Sequence, residues 1–348
     1  MIEPSPPERT PGFSGRRVIL IAAALGLAGA TAVVGFVGFG GVLAALARIG
    51  WRGLAVLIAY SALPYVLLGS AWFSLEKPWR IRRWGLFIWA RMVRDASGEL
   101  LPFSHLGGLV IGARAATLQG LASSWAAATT VVDVSAELMA QIGFTALGVT
   151  LLVTHLAPAP ARASLIGASL AGLAFTTAAT VAFVVFQRRG LGAIVGVVQR
   201  FAPTAALGAT ETVANIAELY RRPARLCVAT ALHLAAWIAS ALGAWLALVV
   251  AGVAIGPLEI LGLEALVMAL RSAAFVAPMG IGVQEASYAV LGPLFGLGPD
   301  VAVALSLIKR ARELAVGVPV LAIWQGLESR RLLSRNATGD RRLPGAEV

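Results

Sequence analysis

The chain has 348 residues, 58% of them hydrophobic and 13% charged, with a formal net charge of +11. Soluble domains carry about 45–50% apolar and about 25% charged residues, so this composition and a mean hydropathy of +0.83 exclude an ordinary soluble protein and place the chain in a bilayer. The cations lie in the gaps between apolar runs, which argues against nucleic acid as their partner. A single cysteine, Cys227, leaves no internal disulfide. His105, His155 and His233 lie far apart with no metal-ligand spacing, and no cofactor is expected.

Residues 1–17 read as a Pro-rich, polar, disordered cytoplasmic tail. Arg16-Arg17, an apolar run and Ala28-Gly29-Ala30 mimic a secretory signal. The run continues to about Phe39, beyond the about 7–15 residues of a signal core, so 18–38 is expected to be a retained membrane helix. About 20 apolar residues cross the roughly 30 Å hydrocarbon layer, and 53–75, 121–153, 162–186 and 226–254 qualify. A helix over 258–276, another over 283–296 and a last crossing over 301–325 follow, then a basic tail, 326–348. Segments 79–94 and 190–220 read as helices lying at the headgroups. In the first, Trp79, Trp84, Phe87 and Trp89 alternate with arginines. Lys77, Arg80, Arg82, Arg83, Arg91 and Arg94 follow the second helix, and Arg188, Arg189, Arg200, Arg221, Arg222 and Arg225 follow the fourth. With the arginines of both tails, they predict cytoplasmic termini by the positive-inside rule. Parity then requires 258–276 and 283–296 to enter and leave on one side, as a re-entrant hairpin broken at Pro278-Met279-Gly280.

A charged side chain at the bilayer centre costs about 2.5–3.5 kcal/mol, and this chain carries several. Thr130, Asp133, Glu137, Gln141 and Thr145 form one polar stripe at steps of three and four, which must face protein or water. The Thr and Gln members read as interhelical glue; for Asp133 and Glu137, glue and a transport role both stand. Glu264 and Arg271 share a face that a partner helix could span. Lys309, Arg310, Arg312 and Glu313 lie near the middle of the last helix, with Lys309 and Glu313 spaced as an i,i+4 pair. The positive excess asks for Glu285, Asp133, Glu137 or an anionic lipid group, while a structural network of buried ion pairs is the competing reading.

Two segments combine Pro, clustered Gly and ionisable residues in an apolar context. One runs from Gly98-Glu99 through Pro102, Gly107 and Gly108 to Arg114, the other from Ala277-Pro278 through Gly280 and Gly282 to Gln284-Glu285. Inside a membrane such backbone persists only where protein or a watery cavity satisfies it. Breaks in corresponding places of two halves mark substrate sites in transporters. The fold expected is an all-α, polytopic membrane bundle with two broken or re-entrant segments, and an inverted repeat is left open.

These same stretches resemble a known family: Leu100 to Gly120, Val131 to Gln141, and Met268 to Gln325, which includes RSAAFVAPMGIGVQEASY and SLIKRARELAVGVP. The chain resembles the lysylphosphatidylglycerol synthase transmembrane-region, or flippase-like, family, and within it the hopanoid-biosynthesis-associated membrane proteins. The resemblance covers nearly all of 18–330 and implies one helical domain, 18–325, that translocates lipid. It implies functional positions at Gly107, Gly108 and Arg114, then at Pro278, Gly280, Gly282, Gln284 and Glu285, then at Arg312 and Glu313. After Gln325 only a short Arg-rich stretch follows, so aminoacyl transfer is not expected of this chain.

The expectation is a lipid flippase of the bacterial inner membrane, for a hopanoid or another polar lipid. Arg114, Arg271, Glu285 and Arg312 would line a cavity for the headgroup, and Asp133 or Glu285 could carry a coupling proton. No Walker motif is present, so the chain does not hydrolyse ATP itself. The alternative is a scaffold that gathers lipid-biosynthesis enzymes through basic loops. An enzyme using His105 with Glu99 or Asp133 lacks a nucleophile–base spacing.

Overall fold

A computed structural model describes residues 39–77, 80–100, 104–155, 162–190, 203–273 and 282–339. The expected first crossing, 18–38, lies outside them. The described residues contain helices and no strand. In chain order they are α1 Phe39–Tyr60, α2 Ala62–Ser74, α3 Trp84–Leu100, α4 Ser104–Leu118, α5 Ser123–His155 and α6 Arg162–Val185. Then come α7 Pro203–Tyr220, α8 Pro223–Val250, α9 Pro257–Ala273, α10 Val283–Leu291 and α11 Pro299–Gly339. Among the described residues three stretches are long and apolar enough to cross a membrane: Leu43–Ser74, Ser123–Val153 and Pro223–Val250.

The first of these corrects the expected boundary. The expected span starts at 53, yet residues 39–52 are helical as well. Gly50 alone breaks the pattern, at φ +53, a conformation that costs glycine nothing. Arg48 reaches the end of α8 and donates to the carbonyls of Ala251 (3.3 Å) and Gly252 (2.7 Å), which satisfies acceptors that a helix end leaves open. The 79–94 segment is also corrected. Its helix starts at Trp84, continues to Leu100 and buries Phe87, Ala90, Val93 and Ala96 in the bundle. Phe87 meets Trp72 and Phe73 edge-on at 5.6 and 5.7 Å between ring centres.

Helix α5 is the axis of the bundle and packs on α4, α6, α7, α8 and α9. Two pairs of short helices stand against it and α11. The first, α3 and α4, is joined through 101–103; the second, α9 and α10, through 274–281. In the first pair the backbones nearly touch. A Cβ on Gly108 would lie 2.7 Å from the Arg94 carbonyl oxygen, and one on Gly112 2.6 Å from the Arg94 Cβ. Small residues four apart allow this approach, which suits membrane helices because packing replaces the hydrophobic drive there.

Candidate functional site

Two ion networks run through the bundle. The first joins α3, α5 and α8. Arg91 and Arg94 share a face of α3, Asp133 and Glu137 a face of α5. Arg91 Nη1 lies 3.2 Å from Asp133 Oδ2 and its Nη2 3.0 Å from Glu137 Oε1. Arg94 Nη1 lies 2.6 Å from Asp133 Oδ2 and its Nη2 2.5 Å from Glu137 Oε2. Arg91 also donates to Asp95 at 2.9 Å, and His233 Nε2 lies 3.0 Å from Asp133 Oδ1. Asp133 and His233 have no exposed surface.

Sequence reasoning placed Arg91 and Arg94 among loop cations and missed His233. Arginines at i,i+3 on an apolar face were the available signal; nothing pointed to a histidine one hundred residues from Asp133. Asp133, Glu137 and His233 bring ligand atoms within 4.8 Å of one another, but both carboxylates already hold two guanidinium groups. A metal ion would have to displace both arginines, so the set fits arginine better. The rest of the stripe bonds mainly within α5 and not across helices: Thr130 donates to the Ala126 carbonyl at 2.7 Å and Gln141 to Thr145 at 3.0 Å, while Gln141 also accepts from Ser272 of α9 at 3.4 Å.

The second network joins α3, α9, α10 and α11. Lys309 donates to Glu264 and, at 2.8 Å, to the Tyr288 hydroxyl, which itself donates to Glu264. The expected i,i+4 pairing of Lys309 with Glu313 does not form. Arg310 Nε lies 3.1 Å from Glu285 Oε1. Glu285 also accepts from the Gly282 N–H at 2.8 Å, so it caps α10 where Gly282 adopts φ +84. It is 1% exposed and does not line an open chamber. Gln284 is buried and donates to Ser306 Oγ at 3.1 Å. Each of these cations meets an acid, so the expected positive excess on α11 is neutralised inside the protein.

Arg271, near the end of α9, donates through Nη2 to both Glu99 oxygens, at 2.8 and 3.0 Å. Glu99 lies at the end of α3 and Arg271 near the end of α9, so the two helix ends are tied together here. This bridge is 22% and 24% exposed, against 0–8% for Asp133 and Arg94. Glu313 stands 4.0 Å from Arg271 and 3.5 Å from Arg312, both loose contacts. The Arg312 Nε–H has no hydrogen-bond partner among the described residues. Beside Lys309 and Arg312, a space of about 10 Å³ is lined by Tyr60, Ser61 and Ser240, enough for about one water.

The remaining predicted positions separate. Arg114 is exposed on α4 and pairs with Glu328 at 2.8 Å, away from both networks, which corrects its expected place in the cavity. Gly107 is half-buried on α4, and Gly108 serves the α3–α4 contact. Pro278 and Gly280 lie outside the described residues.

No curated protein matches the chain, and no solved structure matches it. The family model described as the lysylphosphatidylglycerol synthase TM region matches residues 19–320. That span includes both pairs of short helices and every residue of the two networks, and the chain belongs to this family of lipid-related membrane domains.

Proposed function

We propose that the protein carries a polar lipid between the leaflets of a bacterial inner membrane, with both termini cytoplasmic and without making or breaking covalent bonds. The cargo is a hopanoid or another polar lipid. One observation carries the reading: the bifurcated bridge from Arg271 Nη2 to both Glu99 oxygens, which ties the end of α3 to the end of α9 yet stays about one-fifth exposed. A guanidinium that grips a carboxylate with two hydrogen bonds grips a phosphate equally well. A headgroup oxyanion entering at Arg271 releases Glu99 and lets the two pairs of short helices part. The loose neighbours Glu313 and Arg312 supply the next exchange partners. The packed interior, with room for about one water beside Lys309 and Arg312, corresponds to a closed state.

Inversion of a fluorescent phospholipid in proteoliposomes tests this. Arg271→Gln should slow inversion by about tenfold, the loss of one charge-assisted pair. Glu99→Gln should keep or raise the rate, because it frees the guanidinium. An unchanged rate in Arg271→Gln would overturn the reading. The first network, with Arg91, Arg94 and Asp133 buried and each carboxylate paired with arginine, favours a second reading in which the charges only hold the bundle and the protein gathers lipid-biosynthesis enzymes through its basic loops. Reversing the charge of Arg80 and Arg82 should abolish function in that case and leave lipid inversion untouched.

A further inference from the structure

Helix α6 does not end in ordinary helical turns. Its chain continues as a π-helical turn, Phe186–Gly190, a local widening that recurs at binding sites. The turn carries Gln187, which is 3% exposed. Gln187 Oε1 accepts from the Tyr220 hydroxyl at 2.7 Å and from Ser135 Oγ at 3.0 Å. Its amide nitrogen reaches the Val131 carbonyl only at 3.5 Å. These contacts form the polar wall of a crevice of about 260 Å³ between the π turn and α7. On the α7 side Val213, Ile216 and Ala217 share a face with Tyr220 and are apolar.

Arg221 stands at the rim of the crevice. Its neighbours are committed: Arg222 pairs with Glu218 at 3.1 Å, and Arg225 bonds the Glu76 carbonyl. Among the described residues the Arg221 side chain has neither a hydrogen bond nor an ion pair, and Arg189 on the π turn is also exposed. A crevice with a polar end at Gln187 and Tyr220, an apolar stretch at Val213, Ile216 and Ala217 and an uncommitted guanidinium at its edge suits an amphiphilic anion. Its volume lies just below the about 300–1,000 Å³ of small-molecule pockets, so it admits a headgroup and glycerol but not whole acyl chains.

We propose that this crevice binds the phosphate headgroup of an anionic phospholipid, at a site separate from the ion networks and independent of the transport reading. The phosphate takes the free donors of Arg221 and the glycerol region lies against Gln187 and Tyr220. The first carbons of the chains run over Val213 and Ala217 into the bilayer.

The test uses the full chain in detergent and native mass spectrometry with dioleoyl phosphatidate, dioleoyl phosphatidylcholine and inorganic phosphate as probes. The wild type should retain phosphatidate about tenfold over phosphatidylcholine, the worth of one charge-assisted contact. Arg221→Gln should abolish that preference. Ala217→Trp should block both lipids at this site, and because Ala217 is exposed the added ring leaves the core and the melting temperature unchanged. The proposal fails if the wild type shows no preference, or if both variants keep it, which places the bound lipid elsewhere. It also fails if inorganic phosphate at the same concentration displaces the lipid, because the crevice then reads free phosphate and not a lipid.

Discussion

A carboxylate with no exposed surface needs partners on every side, and Asp133 has Arg91, Arg94 and His233. Removing one member of such a set strands the others in a medium that cannot solvate them. Asp133→Asn should therefore lower stability by about 3–5 kcal/mol, read as a fall in the thermal midpoint by tryptophan fluorescence in detergent. Glu137→Gln should cost less, because Glu137 is 22% exposed and water can reach the arginines it leaves. Lys309 offers a sharper test. Lys309→Met leaves Glu264 buried without its cation and should cost about 3–5 kcal/mol, while Lys309→Met with Glu264→Gln should recover most of the loss. The spacing in the sequence pointed Lys309 at Glu313, four residues away. Its actual acid lies on another helix, 45 residues earlier, a distance that no helical periodicity reaches.

The α3–α4 pair shows how an element is misread. Arginines interleaved with tryptophans look like a solvated face at the headgroups, and Trp84 does remain 38% exposed. The opposite face decided the outcome: Phe87, Ala90, Arg91, Arg94 and Gly98 recur at three and four residues and turn inward together. The charges followed because Asp133 and Glu137 waited on α5. Closure depends on Gly108, where any larger side chain meets backbone. Gly108→Leu should force α3 from α4 and break the first network, seen as loss of the monodisperse peak in size-exclusion chromatography. Gly282→Ala should be milder, about 1 kcal/mol, because it only strains the start of α10 at φ +84. On α7, the hydrogen bond from Lys77 holds the Glu218 carboxyl below its ordinary range. A depressed carboxyl contributes stability above its unfolded pKa and loses it as pH falls through the folded one. Glu218→Gln should therefore flatten the acid limb of the melting profile and leave the neutral value nearly unchanged, since the pair is exposed.

For the molecule as a whole, the helical membrane class followed from composition and apolar run length, because the bilayer permits few other solutions. The expected spans 121–153, 162–186 and 226–254 match α5, α6 and α8 within a few residues. The side-chain partners were far less legible. The sequence marked Asp133, Glu137, Arg271 and Glu285 as out of place in hydrocarbon, yet only packing decided which ions met. Arg271 and Glu99, 172 residues apart, are the clearest case.

The short helices carry one more consequence. At 1.5 Å per residue, the 17 residues of α3 span about 26 Å, the 15 of α4 about 23 Å and the 9 of α10 about 14 Å, all less than the roughly 30 Å of a hydrocarbon core. On the proposed transport reading, lipids beside them would meet a mismatch relieved by shortening and tilting their chains, which would pinch the bilayer locally. In that case a headgroup at the waist would have less oil to traverse before any side chain touched it.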